Sequence, residues 1–305
     1  MSKLRTALFI INKFSGGGYR PEVEGRIIEK CEKLNIESTI EFTQSPGHAT
    51  ELARKAVDQK LDFVFAVGGD GTVNEVAQGL LSSEVTMGIL PKGSGNGLAR
   101  HLGIPMSFKK SLDIIFLHRE QRIDTLSVNG KLSVNVSGIG FDGHVAGLFA
   151  NKAKRGLIGY TKLVLKEFLS FKSFEAKIDM NGSSFNSRSF IIALANSSQF
   201  GNNARIAPQA SVCDQLMDVC FIQKVPLSQA LGFAGKMFSG NLDRSRYVEI
   251  IKTNRISIDL EHPMAYHIDG EAMAATDKFV VELKPASLKM LVPQASMGQS
   301  KKYPI

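Results

Sequence analysis

The stretch Phe63-Val64-Phe65-Ala66-Val67-Gly68-Gly69-Asp70-Gly71-Thr72-Val73-Asn74-Glu75 decides the fold. Its first five residues are an unbroken apolar run, as in a strand buried on both faces, and Val73, Val76, Ala77, Leu80 and Leu81 then follow helical spacing. A strand therefore feeds a glycine turn that opens a helix. Gly68, Gly69 and Gly71 lack a Cβ, so backbone N–H groups can approach a ligand, and the helix N-terminus adds partial positive charge. The turn reads as a seat for phosphate. Asp70 would repel a bare phosphate, which predicts a divalent cation between the two, as in a magnesium-bound nucleoside triphosphate. Thr72 and Glu75 fit a capping box, so hydroxyl and carboxylate are expected to close the first turn of the helix. The plainer alternative is an ordinary small-residue turn.

Upstream, Arg5 to Ile11 reads as a strand that ends in the basic, glycine-rich loop Asn12 to Arg20, with a helix starting near Pro21. Lys13 and Arg20 flank its glycines, so this is either a second phosphate-facing loop or a solvated one; it lacks the G-x-x-x-x-G-K-[ST] pattern of a P-loop. Ile36 to Phe42 alternates as a strand, and Ala49, Leu52, Ala53, Ala56 and Val57 form one buried helical stripe. Downstream, the strand Met87-Gly88-Ile89-Leu90 leads into Pro91-Lys92-Gly93-Ser94-Gly95-Asn96-Gly97, which repeats the logic of the first turn, and a helix is expected around Ser107 to Leu117. Alternating strands and helices predict a parallel sheet, whose ligands bind at the carboxyl ends of the strands. His101 reads as a surface or packing residue.

The second half has a different texture. Ile123–Val128 and Leu132–Val136 flank Asn129-Gly130, and Asn181-Gly182 separates Ala176–Met180 from Phe185–Ala195, both strong hairpin signals. Leu216–Ile222, Arg255–Leu260, Met264–Ile268 and Phe279–Leu283 alternate as further strands, so this half is expected to be largely antiparallel β. Gly138-Ile139-Gly140-Phe141-Asp142-Gly143 matches G-x-G-x-x-G, but no acidic residue follows about 20 positions on, and a dinucleotide site is not expected. Asp142 is either an active-site acid or a turn aspartate. His267-Ile268-Asp269-Gly270-Glu271 places two carboxylates at a hairpin tip, where either turn formation or general-base work accounts for them. Between these, Lys152, Lys154, Arg155, Lys162, Lys166 and Lys172 interleave with apolar residues as a basic amphipathic helix, either solvated or lying on a membrane.

The chain has 305 residues, for which two domains are expected over one, and 43% hydrophobic with 22% charged residues is ordinary for a soluble globular protein. No apolar run approaches the ~20 residues of a membrane span, and the N-terminus has no cleavage pattern of a signal peptide. Cys31, Cys213 and Cys220 lack metal-ligand or CxxC spacing and read as reduced thiols of a cytoplasmic protein. The net charge of +8 favours anionic partners.

Taken together, Gly68-Gly69-Asp70-Gly71-Thr72 with Asn74, Pro91 to Asn96, Gly140-Phe141-Asp142 and Asp269-Gly270-Glu271 resemble, in order, the motifs of the diacylglycerol kinase catalytic-domain family, which includes sphingosine and ceramide kinases and bacterial lipid kinases. The resemblance implies an α/β plus β fold: a phosphofructokinase-like α/β nucleotide domain over residues 1–125, with 290–305 returning to it, and an antiparallel β-sandwich over 126–289, the active site lying between them. It implies ATP and Mg2+ as cofactors, nucleotide contacts at Thr43, Gly68, Gly69, Asp70, Gly71, Thr72, Val73, Asn74 and Ser94, catalysis by Asp70 with Glu271 as proton acceptor, and a magnesium site at Ser211, Asp214 and Leu216. The expected partner is a membrane lipid, with peripheral contact at the inner membrane face and no nucleic acid. Three departures stand out: Lys13 where proline is usual, Gly97 where diacylglycerol kinases commonly have aspartate, and Gln215 where the metal motif usually has glycine. An NAD kinase, which shares the Gly-Gly-Asp-Gly-Thr motif, and a catalytically inactive nucleotide- or membrane-binding module are the alternatives.

Overall fold

The computed structural model describes residues 4–16, 18, 21–117, 119–150, 164 and 166–293. The chain forms two compact units, one made of the residues up to Asp124 and from Pro285 onward, the other of Thr125–Lys284.

In the first unit, β1 (Arg5–Ile11), β2 (Ile36–Phe42), β3 (Phe63–Gly68) and β4 (Thr86–Pro91) lie parallel in the order β2-β1-β3-β4. The chain's last strand, β14 (Glu271–Val292), adds its end beside β4 through Met290 and Met87. β3 is buried along its whole length, as its unbroken apolar run requires of a central parallel strand. Helix α1 (Glu22–Lys33) turns Ile27 and Cys31 into a core with Phe9, Phe63, Phe65 and Leu112 of α5 (Phe108–Ile114), and the rings of Phe9 and Phe65 stack 4.6 Å apart. Helix α2 (His48–Asp58) buries the expected Ala49, Leu52, Ala53 and Ala56. It lies close against α3 (Asp70–Leu80), because a Cβ on Gly79 would stand 2.5 Å from that of Ala53 and 2.6 Å from the Thr50 carbonyl oxygen.

Register fixes the consequence for function. Ile11 is level with Phe42 and Val67, and Gly68 with Pro91, so the loops at 12–16, 43, 68–70 and 92–96 leave one carboxyl edge of the sheet.

The second unit is antiparallel β. Strands β7 (Val136–Gly140), β10 (Ile191–Ala195), β11 (Met217–Ile222), β12 (Val248–Thr253) and β13 (Arg255–Ile268) run in the order β12-β11-β10-β7-β13, and β13 pairs onward with β14. Early β13 pairs instead with β8 (Phe174–Met180), which pairs with β9 (Ser183–Ser189), while its last residues pair with β7. The change follows a register shift between Asp259 and Met264, the device by which one strand serves two sheets. Inward side chains of both sets, among them Ile139, Ile178, Ile192, Val219, Ile256 and Phe279, form one sandwich core. β5 (Arg119–Val128) turns into β6 (Lys131–Ser133) at Asn129-Gly130 with φ of 48° and 79°, and Asn181-Gly182 repeats the geometry at 50° and 75°.

Two helices were not foreseen. β7 runs directly into α6 (Phe141–Ala150), so G-x-G-x-x-G does lie on a strand–helix junction, for packing reasons given below. Helix α7 (Leu227–Ser239) rests Phe233 and Met237 on a second core cluster beneath it.

Candidate active site

The two glycine loops of the first unit are locked together by backbone. Gly68 O accepts the N–H groups of Lys92 at 2.8 Å and Gly93 at 3.2 Å, and a Cβ on Gly93 would stand 2.5 Å from Gly69 Cα. Close approach thus requires glycine at 93 and leaves a Cβ at Gly69 only a tight 3.2 Å from Gly93 Cα. Asp70 completes the lock: Oδ2 accepts the Asn96 N–H at 2.8 Å and Oδ1 the Gly97 N–H at 2.7 Å. Asn96, in the left-handed conformation at φ 52°, closes the second loop on itself, its Oδ1 accepting the Gly93 N–H and its Nδ2 donating to the Gly93 carbonyl. Asp70 therefore caps the short helix α4 (Gly97–His101) across 26 residues of sequence.

The expected capping box does not form. Helix α3 begins at Asp70, two residues before Thr72, and has no side-chain cap. Thr72 Oγ1 instead accepts from Asn12 Nδ2 at 3.1 Å, and Glu75 Oε2 accepts the Ala49 N–H at 3.2 Å in the first turn of α2. Both side chains bind neighbouring elements, which the motif cannot reveal.

Asn12 orders the first loop. Its Oδ1 accepts the Phe14 N–H at 2.9 Å, so an Asx turn stands where the family's proline would restrict the chain, and the Lys13 ammonium lies 3.7 Å over the Phe42 ring. Gly16, at φ 64°, meets the Lys92 carbonyl so closely that no Cβ fits. Burial lowers the Lys92 pKa. Thr43 donates its N–H to Ile11 O at 3.0 Å, Ser94 is exposed, and Val73 is buried with its N–H on Gly69 O. Arg20 lies outside the described residues, as do Lys152, Lys154, Arg155 and Lys162 of the basic segment.

In the second unit the hairpin carboxylates separate cleanly. Asp269 is buried, and its carboxylate accepts the Ser133 hydroxyl at 2.7 Å and the N–H groups of Val134 at 2.8 Å and Asn135 at 3.0 Å. It is a structural residue. Glu271, exposed, opens β14 opposite Ile268 after a two-residue turn. His267 is the residue that sequence reasoning missed. Its Nδ1 accepts the Gly270 N–H at 3.1 Å and its Nε2 lies 3.3 Å from Asp142 Oδ2. An amide can only donate, so Nδ1 is unprotonated and Nε2–H points to the carboxylate. Gly138 has no side chain because the Asp142 carboxylate lies where its Cβ would be, and a Cβ on Gly143 would clash with Tyr266 of β13. The glycine motif thus seats an Asp–His pair and a close helix–strand contact.

The residues matching the magnesium site sit before β11. Asp214 Oδ1 accepts the Leu216 N–H at 3.2 Å, and Ser211 Oγ accepts the Cys213 N–H at 3.3 Å. Gln215 holds φ at 61°, the left-handed conformation that glycine would take freely. Lys252 Nζ stands 2.6 Å from Asp214 Oδ2 and 3.5 Å from Asp218 Oδ2. Burial raises the Asp218 pKa to about 6 although Lys252 opposes it. For Lys252 burial acts downward, but the two aspartates outweigh it and the shift is upward. Ser211, Asp214 and Leu216 therefore do not fit a metal here: the one carboxylate is already matched by an ammonium.

The model of the "Diacylglycerol kinase catalytic domain" matches residues 6–128, and that of the "YegS C-terminal NAD kinase beta sandwich-like domain" matches residues 135–292. The chain belongs to the diacylglycerol kinase catalytic-domain family. A Bacillus subtilis protein named "Diacylglycerol kinase" is 27% identical over 273 residues, covering 88% of this chain and 90% of its own. A Pectobacterium atrosepticum protein named "Probable lipid kinase YegS-like" is 28% identical over 307 residues, covering 97% and 99%. A crystal structure of a diacylglycerol kinase from Bacillus anthracis superposes with a TM-score of 0.76 at 21% identity, over 96% of this chain and 98% of that one, which fixes the fold. Family membership makes this chain a lipid-kinase relative, with an α/β domain followed by a β-sandwich. It favours neither the NAD kinase nor the inactive-module alternative.

Proposed function

We propose that this protein transfers the γ-phosphoryl group of ATP, in the presence of Mg2+, to the hydroxyl of a membrane lipid of the diacylglycerol or sphingoid type. The observation that carries this reading is the glycine cradle, in which Gly69 and Gly93 face each other at backbone distance under the clamp of Asp70. With no side chains there, the two turns meet backbone to backbone, at the strand ends where α/β sheets bind phosphate.

What supports a triphosphate is the pair of glycine turns at the carboxyl edge of the sheet, one of them opening helix α3. Among the described residues no group of three or more His, Cys, Asp or Glu side chains could hold a metal ion, and the proposed Mg2+ is one that comes on the nucleotide's own phosphates and keeps several waters. Asp70 is the carboxylate of the turn that would face it, and the ion would neutralise charge on the phosphates. The chain's own residues do the rest. The turn from Gly68 to Asn74 and the 92–96 loop hold the phosphates, with Thr43 and Ser94 on the same strand edge. Asp70 fixes the spacing of the two loops. Glu271, exposed at its hairpin tip, takes the proton of the lipid hydroxyl as that oxygen bonds to the γ-phosphorus and the bond to the β-phosphate oxygen breaks. His267 and Asp142 hold the turn that carries Glu271.

The test is an acceptor screen with γ-labelled ATP, MgCl2 and detergent-dispersed diacylglycerol, sphingosine, a bacterial lipid extract or NAD. Label is expected in the organic phase. Label in NADP alone, or in no lipid at all, overturns the reading.

A further inference from the structure

The lysine beside Asp214 carries more than the misfit of a metal site. Asp218 and Lys252 are cross-strand partners in the pairing of β11 with β12, so the sheet itself aims the lysine at the buried Asp218. Lys252 Nζ then reaches Asp214, in the turn before β11, at 2.6 Å. One ammonium thus spans a strand carboxylate and a turn carboxylate. The turn is further held by the Asp214 contact with the Leu216 N–H and by the left-handed backbone at Gln215. A divalent ion seeking the same carboxylate oxygen would stand against that ammonium, and two cations at that spacing repel.

We propose that Lys252 is a built-in cation, replacing the magnesium that the family resemblance implies at Ser211, Asp214 and Leu216, and that it pins the 211–216 turn to the edge of the sheet without a bound metal. The inference does not depend on the kinase reading. Its readout is stability without nucleotide, so its failure leaves that reading untouched.

The experiment follows thermal unfolding of the full chain, freed of metals by EDTA, as MgCl2 is added against NaCl of equal ionic strength. For the native protein and for K252R, no magnesium-specific shift in Tm is expected. K252M, left with two carboxylates and no cation, is expected to melt lower and to recover Tm saturably with MgCl2, and K252M/D214N is expected to lose that recovery. K252Q supplies the same comparison if K252M does not fold. A saturable rise in the native protein that D214N abolishes overturns the proposal, because magnesium would then hold Asp214 beside the lysine. A folded K252M or K252Q that gains no magnesium response also overturns it, since the ammonium would not stand at a cation site.

Discussion

Asp70 accepts two backbone N–H groups with its two oxygens, and this sets what its amide isostere would do. In D70N one oxygen survives, while the new –NH2 faces an N–H of Asn96 or Gly97, so one loop amide is lost and a donor is opposed by a donor. Hydrogen bonds to a charged group contribute about 1.5–3 kcal/mol. D70N should therefore melt lower than the native protein, and because the loops spread, turnover should fall by roughly 10²-fold or more. Steady-state kinetics beside a thermal melt checks both; native activity would remove Asp70 from the site. E271Q differs. Glu271 is exposed, and in the proposed mechanism it acts in the chemical step, so kcat should fall by about 10²–10⁴ while ATP affinity, read by calorimetry, holds. Loss of ATP binding would make Glu271 a structural residue. The family resemblance singled out Asp70 and Glu271, but the hairpin residues by themselves could not sort Asp269 from Glu271. Sorting needs the partners, and those of Asp269 lie at 133–135, far along the chain. His267 stayed hidden for the same reason, since Asp142 is 125 residues away.

Helix α4 is only five residues long, capped at its start by Asp70 and closed at its end by the buried His101. Burial depresses the His101 pKa to about 4 from the usual 6.5. The folded state thus binds its proton later than the unfolded chain, so stability is full above about pH 6.5 and declines toward pH 4. The loss amounts to about 3 kcal/mol at about 1.36 kcal/mol per pH unit. Denaturant titrations at pH 7 and pH 5 should show about 2 kcal/mol of this fall, and H101Q should flatten it. A pH-independent midpoint in the native protein would show that another group compensates. The glycine cradle gives a sharper test. In G93A the new methyl stands 2.5 Å from Gly69 Cα, with backbone rather than a flexible side chain opposite. The loops must part, and KM for ATP should rise by roughly tenfold or more with the far-UV circular dichroism unchanged. Elements with local signals were legible: the β3–α3 turn, the α2 stripe and all three Asn-Gly or Asp-Gly hairpins. Helix α7 was not, although Ala230, Phe233, Ala234 and Met237 have helical spacing, because apolar residues on its outer face blur the pattern. The length of β14 was hidden too, since Pro285 and the left-handed Ala286 interrupt an otherwise continuous strand.

For the whole molecule, the proposed reaction requires the chain to meet a lipid at a membrane surface. No helix among the described residues is long and apolar enough to cross a membrane. On the proposed reading two features would draw the chain to a bilayer surface: a net charge of +8, and the outward face of α7, where Leu227, Leu231 and Phe238 are 56%, 89% and 54% exposed. They predict different salt dependence. Each cation near an anionic surface adds about 1 kcal/mol, and the attraction fades within a Debye length, about 8 Å at physiological salt. Insertion of leucine and phenylalanine into the interface survives salt, because it removes apolar surface from water. Sedimentation with phosphatidylglycerol vesicles should therefore fall as salt rises but level off above zero. L231S should lower the salt-resistant part. K154Q/R155Q/K162Q, in the segment outside the described residues, should lower the salt-sensitive part. Both variants should lose activity on vesicle-borne lipid and keep it on a soluble short-chain analogue. If L231S binds vesicles like the native protein at every salt concentration, the face of α7 takes no part in docking and charge alone brings the enzyme to its substrate.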